Sequence, residues 1–463
     1  MTISHDLASL LAEGGVSVDP SDLDAHSHDH KPESLIARRA GADGALPDAV
    51  VRPRSIEEVV TVLRWADENG TPIVAFGAGS GVLGGIGPRG GVIVDTRGLD
   101  WIGDVDETSR LVTVGAGVMG PDFARSLGDG GYMLGHEPQS VDISTVGGWV
   151  ATKACGQLSA HFGGIEDLVA GLVAVLPGGR VARSKTVPRR AAGPDVASLM
   201  MGSEGAFGIV VEVTLRVSPV PTVRADRCVR FEHMADGVAA CRRLIQSELR
   251  PTLARLYDAE DSALFLRSHP DEEVVPLLLL SFDGADSESR ATEAVGLSGG
   301  REGDAALVGH WWTHRNDAVS EFKKLAAGEG LLGPHAAVET MEVAGTWTIL
   351  RDLYHSMKEA LGPLADFVGC HVSHVYRDGA CLYFTLGSAC ADEENARSTL
   401  TRWWEAGMST CLAAGGSISH HHGIGRVKAP WLPAELDGWY DVLKSVKRAV
   451  DPKGIMNPGV LGL

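Results

Sequence analysis

The run GAGSGVLGGIGPRGG, residues 77–91, restricts the fold of this chain more than any other stretch. Gly79, Gly81 and Gly84 satisfy the G-x-G-x-x-G spacing of a dinucleotide-binding finger, and Asp95 follows downstream. Such a finger must open a helix whose N-terminus holds the pyrophosphate. Here the loop continues through Gly87, Pro88, Gly90 and Gly91, which forbid a helix, and then enters the apolar strand VIVDT (92–96). A finger of that kind is excluded. Bare backbone can still cradle a phosphate, because glycines expose consecutive N–H groups and let anionic oxygens approach closely.

Two more stretches share this character. GHEPQSVDISTVGGWVATKACGQLSAHFGGIEDLV (135–169) is rich in Gly, Ser and Thr, is broken by Pro138, and is too hydrophobic for a solvent loop. MGSEGAFGIV (201–210) sets Glu204 among three glycines ahead of a strand. Three glycine–hydroxyl loops imply a long, extended ligand gripped mainly by backbone groups. FAD fits that description.

Around these loops the pattern alternates between helix and strand. Ser55 and Glu58 form a capping box, Val59, Val60 and Leu63 give a helical stripe, and Gly70 stops it. PIVAF (72–76), RLVTVGAG (110–117), LVAVLPGGRVAR (172–183) and GIVVEVTLRVSP (208–219) read as strands, and GPDFARSLGDGG (120–131) as a helix. SPVPTVRAD (218–226) is a Pro-punctuated boundary, followed by a strand, a helix near 233–248 and the strand PTLARLYD (251–258). A chain of 463 residues exceeds one ordinary core, so two α+β domains are expected. Residues 1–50, including AHSHDHKPES (25–34), read as a polar, solvated, loop-like segment rather than a metal site. The stretch 443–459 reads as a helix ended by Pro452, with a Gly/Pro-rich tail that returns to the first domain.

A formal charge of −19 argues against nucleic acid, which demands clustered Lys and Arg. Seven scattered cysteines without a C-x-x-C pair suit a reducing compartment, and the opening MTISHDLASLLAEGG has no basic signal-like start. No apolar run is long enough to cross a membrane. The cytoplasm is the expected address. The run SISHHHGIGRVKAPW (417–431) places His420, His421 and His422 directly before Gly423 and Gly425. A metal site, an acid–base site and a polar loop all remain open from these residues alone.

AFGAGSGVLGG (75–85), EPQSVDISTVGGWVATKACG (137–156), GSEGAFGIV (202–210) and DPKGIMNPG (451–459) together resemble the FAD-binding domain of the vanillyl-alcohol-oxidase/p-cresol-methylhydroxylase superfamily. GWVATKACG with GGIEDLV behind it, and SHHHGIGRVKAPW with CLYF (381–384) upstream, are most similar to the alkylglycerone-phosphate synthase subgroup. The resemblance implies an α+β protein with a two-part FAD-binding domain. Its first part is 1–222, a cap or substrate domain occupies 223–425, and 426–463 returns to the FAD site.

The implied flavin contacts are Phe76, Gly77, Ala78, Gly79, Ser80, Gly81, Val82, Pro138, Gln139, Ser140, Asp142, Ser144, Thr145, Gly148, Thr152, Ala154, Cys155, Glu204, Gly208, Ile209, Val210 and Asn457. Noncovalent FAD is expected. The first loop has no histidine, and Cys155 falls where the subgroup carries a small noncovalent contact.

The related D-2-hydroxy-acid dehydrogenases carry G-E-H-G-I-G with the Glu and two upstream histidines as metal ligands. Here His421 stands in place of the Glu and Tyr383 in place of one histidine, leaving His374. The resemblance therefore implies no metal; Tyr383, His420, His421 and His422 handle protons, and Arg255 lines the flavin site. The implied activity is that of an alkylglycerone-phosphate synthase, acting at flavin N5 on a small keto or hydroxy substrate with an acyl or alkyl chain. An FAD-dependent D-2-hydroxy-acid or alcohol dehydrogenase is the alternative. The synthase's phosphate-binding arginine has no counterpart ahead of VETMEVAGTW (338–347). Lys324 and Arg315 are the candidate substitutes, but lysine is a point charge rather than a bidentate fork, and the departure counts against a phosphorylated substrate. The expected partners are a small molecule and no nucleic acid, with room for a homodimer and for peripheral attachment to a membrane.

Overall fold

Alternation along strands decides where the chemistry of this protein sits, because successive side chains point to opposite faces of a sheet. The computed structural model describes residues 3–41, 44–88 and 90–463. Its largest sheet has seven antiparallel strands. In spatial order they are Arg301–Glu302, Arg224–Arg230, Leu277–Asp283, Leu253–Tyr257, Phe367–Val375, Gly379–Ser388 and Ala337–Thr346. One face presents Ala254, Leu256, Val368, Cys370, Leu382, Phe384, Met341 and Val343. These pack under the helices Met234–Gln246, Ser287–Ser298, Trp347–Leu361 and Glu393–Ala413 to form the main core. The opposite face carries Arg255, Tyr257, His371, Tyr383, Thr385 and Thr340, and it borders the principal cavity. A register shift between Val372 and Val375 breaks the alternation. Both valines return to the core, so Ser373 and His374 sit side by side on the cavity side.

The glycine loops are carried by two four-stranded sheets. In the first, Ala49–Val51, Val92–Asp95 and Ile73–Phe76 run parallel, with Val16–Ser17 at the edge. The second orders Leu111–Gly115, Ile209–Arg216, Val169–Leu176 and Arg180–Arg183 antiparallel. LVAVLPGGRVAR is thus a hairpin of two strands. The helix Ile56–Asn69 starts where Ser55 Oγ accepts the Glu58 N–H at 3.2 Å, and stops at Gly70 with φ 63°. Glu58 does not close the box on Ser55; its carboxylate accepts from the Arg54 N–H at 2.6 Å. Past the helix Gly438–Val450, the tail lies beside the strand that feeds the first glycine loop. The Ile73 N–H donates to the Ile455 carbonyl, and the Asn457 N–H to the Ile73 carbonyl, each at 2.7 Å.

Two expectations are corrected. Within residues 1–50 lie the helices Ile3–Ala8, Pro20–Ala25 and Pro32–Arg39, and the 25–34 run is folded in, with His26, Ser27 and Asp29 buried. Its polar groups find distant partners: His26 Nε2 lies 3.2 Å from Asp95 Oδ2. The 135–169 stretch contains the short helices Val146–Thr152, Ser159–Phe162 and Ile165–Leu168. Thr145 Oγ1 caps the first by accepting the Gly148 N–H, and buried Val146, Trp149 and Val150 supply the helical spacing that the glycines obscured. All seven cysteines are free thiols. Among the described residues, no helix is long and apolar enough to cross a membrane.

Candidate active site

A cavity of about 1300 Å³ lies between the glycine loops and the polar face of the large sheet. That exceeds the roughly 300–1,000 Å³ of a typical small-ligand pocket. Residues 76–82, Pro138, Gln139, Ser140, Ser144, Thr145, Gly148, Thr152, Ala154, Cys155, Glu204, Gly208, Ile209 and Val210 all line it. Asp142 and Asn457 do not. The Asp142 carboxylate accepts from Asn316 Nδ2 at 3.2 Å. Asn457 lies beneath the loops, donating to the Gly85 carbonyl at 2.9 Å and the Glu204 carbonyl at 2.7 Å.

The cavity wall fits an extended diphosphate cofactor. Among the described residues, no acceptor meets the backbone N–H groups of residues 77–82. A row of free donors on bare backbone is an anion cradle. A Cβ on Gly77 would meet Thr145 Oγ1 at 2.4 Å, so only glycine lets the first and second loops close together here. Asp29, His30, Thr96, Ser203 and Gly205 join the wall and were not anticipated. Burial pushes the Asp29 carboxyl up to about 6, against the pull of the Lys31, Gly85 and Ile86 backbone N–H groups. Cys155 faces the cavity, but burial pushes its thiol up to about 11. A thiol held protonated is a poor nucleophile for flavin attachment.

At the other end stands Arg255. Its Nε donates to Tyr257 Oη at 2.8 Å and its Nη2 lies 3.0 Å from His371 Nε2. His371 Nδ1 lies 2.7 Å from Asp261 Oδ2. An imidazole giving Nδ1–H to the carboxylate offers its Nε2 lone pair to the guanidinium, so this chain orients Arg255. Next to it, the Tyr383 ring stacks on His371 at 4.6 Å, with the rings of His421 and His422 at 5.8 and 5.5 Å. Burial pushes the Tyr383 phenol up, against a smaller opposing pull from Thr340. Its resting form is a proton donor.

The histidine loop is built from behind. Glu342 is fully buried directly across the ladder from Tyr383 and accepts the His422 N–H at 2.7 Å and the Ser419 hydroxyl at 3.0 Å. Burial pushes Glu342 up, but the buried Lys428 ammonium together with His422 and its N–H outweighs it, so the net shift is downward and the carboxylate stays ionised. Glu204 accepts from the Ile424 N–H at 2.7 Å and the Gly425 N–H at 2.9 Å. His421 and His422 line the cavity, whereas His420 sits behind the wall, stacked on His374 at 4.8 Å. Burial lowers all three imidazoles: His420 and His422 to about 4, and His421 well below its usual range.

Two triplets, Cys155–His374–His420 and Cys381–His420–His421, each bring three candidate ligand atoms within 4.8 Å. Each includes a thiol that burial holds protonated when no ion is bound, and both ring nitrogens of His420 already have hydrogen-bond partners. Lys324 and Arg315 also reach the cavity, but each is paired, with Glu321 at 2.8 Å and with Glu137 at 2.7 Å. Neither offers a free charge. Lys323 lines the cavity without an ion pair among the described residues, and sequence gave no signal for it.

Comparison with known proteins agrees with this geometry. The model of the FAD binding domain matches residues 47–185, and that of the FAD linked oxidases, C-terminal domain, matches residues 220–461. The alkyldihydroxyacetonephosphate synthase of Caenorhabditis elegans is 29% identical over 92% of this chain and 78% of its own. The uncharacterized FAD-linked oxidoreductase YgcU of Escherichia coli (strain K12) is 32% identical over 90% of this chain and 89% of its own. A solved alkyldihydroxyacetonephosphate synthase superposes with a TM-score of 0.82 at 25% identity, covering 98% of this chain and 85% of that one. The fold is shared with p-cresol methylhydroxylase, at a TM-score of 0.80 and 17% identity over 99% and 96% of the two chains.

Proposed function

Because this chain belongs to the FAD-linked oxidases, we propose that it is a flavoenzyme of the alkyldihydroxyacetonephosphate-synthase kind, acting on a small keto or hydroxy substrate that bears an acyl or alkyl chain. One observation carries the proposal. Tyr383 stands in the cavity among the imidazoles of His371, His421 and His422, with His421 and Tyr383 in place of a carboxylate and a histidine that would hold a metal. Bound FAD supplies a redox-active ring that can take or return an electron pair at the substrate carbon.

The chain's own residues supply the rest. Residues 1–222 and 426–463 grip the cofactor through the glycine loops, and 223–425 covers the substrate. Tyr383, protonated at rest, gives a proton to a substrate oxygen, and neutral His422, whose Nδ1 has no hydrogen-bond partner among the described residues, can take one up. Arg255 balances negative charge developing on the substrate. Phe265, Trp311, Phe322, Leu325 and Leu332 add apolar surface to the cavity lining, as a hydrocarbon chain would need. Buried Arg255 also supports a second reading, a D-2-hydroxy-acid dehydrogenase that pairs the guanidinium with a substrate carboxylate.

The test adds acyl-dihydroxyacetone phosphate and a long-chain alcohol to the holoenzyme and follows the alkylated product. Tyr383→Phe should lose at least roughly 10²-fold in turnover, the low end for a general acid–base group, while its FAD content holds. Full activity in that variant would sink the proton-handling role. Bleaching of the flavin by D-lactate in the absence of oxygen, without product from the first pair, selects the dehydrogenase.

A further inference from the structure

We propose that Tyr376, which lies outside the cavity wall, is a positioning residue that decides which nitrogen of His421 carries the proton. The inference rests on the reading that His421 serves the substrate. Tyr376 follows the bulged strand Phe367–Val375, and its hydroxyl lies against Cys155, His420 and Ser159. Cys155 Sγ lies at 3.3 Å and His420 Nε2 at 3.0 Å. His420 Nδ1 in turn lies 3.0 Å from His421 Nδ1.

Two facing Nδ1 atoms require one imidazole to donate and the other to accept. Both rings are neutral, since burial lowers both, so each holds a single N–H and the assignment of one fixes the other. The Tyr376 hydroxyl makes the choice. A neutral imidazole nitrogen is a far better acceptor than sulfur. The Cys155 thiol stays protonated and is the weaker partner of the phenol. Tyr376 therefore gives its O–H to His420 Nε2, and His420 gives Nδ1–H to His421 Nδ1. His421 is left with Nε2–H, and Nε2 has no partner among the described residues on a ring that lines the cavity. His421 therefore rests with Nε2–H toward the cavity, as a hydrogen-bond donor to a substrate oxygen. Stacking of His420 on His374 at 4.8 Å keeps the intermediate ring from turning away.

The test is a long-range 1H–15N correlation on holoenzyme carrying 15N-labelled histidine, with the His421 signals assigned by their loss in His421→Gln. Wild-type His421 should be the Nε2–H tautomer. In Tyr376→Phe the tautomer ratio should move roughly two- to tenfold toward Nδ1–H, the reach of one net hydrogen bond, at unchanged FAD content. A wild-type His421 that is mainly Nδ1–H overturns the proposal, and so does an unmoved ratio in Tyr376→Phe. The wild-type spectrum decides even if the variant does not fold. Nε2–H together with a fully active Tyr383→Phe would leave this device standing and remove only the proposed function.

Discussion

Lys428 and Glu342 are each fully buried, with Nζ 2.5 Å from Oε2, and the pair can be broken without touching the cavity wall. Lys428→Met keeps the hydrocarbon stem and removes the charge. Removing one partner of a buried ion pair costs about 3–5 kcal/mol, because the remaining charge stays desolvated. Unfolding entropy of about 2.1 cal/mol/K per residue gives about 1 kcal/mol/K for 463 residues, so Tm should fall by about 3–5 °C. Glu342→Gln in the same chain removes the stranded charge and should recover most of that loss.

The pH dependence has a definite sign. In the native protein Lys428 and the His422 contacts together overcome burial and hold Glu342 below its usual range. Its stabilisation is therefore present above the unfolded carboxyl pKa and is lost only as pH falls through the lowered value. In Lys428→Met burial, the largest influence on Glu342, is opposed by the His422 and Ser419 donors but no longer by the ammonium, and raises it. The penalty is therefore full at neutral pH and shrinks as acid protonates the carboxyl. Thermal unfolding of the two holoproteins at pH 7 and pH 5 reads this directly. A Tm difference below a degree at pH 7, or one that widens toward pH 5, would refute the reasoning.

Gly425 has φ 55°, and a Cβ there would sit 1.9 Å from the Leu83 carbonyl oxygen, so Gly425→Ala should purify with clearly less FAD per chain. Gly415, at φ 75° with nothing within 4 Å of a Cβ, is the control: Gly415→Ala should cost about 1–2 kcal/mol of strain and keep its FAD. Burial pushes Glu339 up to about 8, with its carboxyl held by the Thr340 N–H and Trp404 Nε1, each at 2.9 Å. Native stability should therefore fall as pH rises from the unfolded carboxyl range to about 8 and level off above, and denaturation of Glu339→Gln should lack that slope.

The parts legible in the sequence are those whose cause is local. The helix Ile56–Asn69 is written in Ser55 and Gly70, and the first loop in glycines whose amides need no nearby partner. The parts that escaped depend on pairing across the chain. Tyr383 faces His371 on one neighbouring strand and Glu342 on the other, and neither register follows from CLYF alone. The 25–34 segment reads as solvated because its composition is polar; it is buried because His26 meets Asp95, 69 residues away. Three histidines in a row read as one unit. On a turning loop they part, His421 and His422 toward the cavity and His420 toward Tyr376.

What the histidine run needed was its glycines. Gly423 and Gly425 take φ of 84° and 55°, a conformation that brings the Ile424 and Gly425 N–H groups onto the single carboxylate of Glu204. A Cβ on Gly423 would meet Glu204 Oε1 at 2.8 Å, and one on Gly425 would meet Leu83 in the first glycine loop. Arg426 then donates to the Gly84 carbonyl at 2.6 Å and to Asn457 Oδ1 at 3.0 Å. One turn therefore fastens the histidine run to the first loop, the third loop and the C-terminal tail. Burial pushes Glu204 up to about 7, against the pull of these amides, so the fastening weakens when the carboxyl takes up a proton. Cofactor grip and histidine placement share that carboxylate, and a change that loosens one must loosen the other.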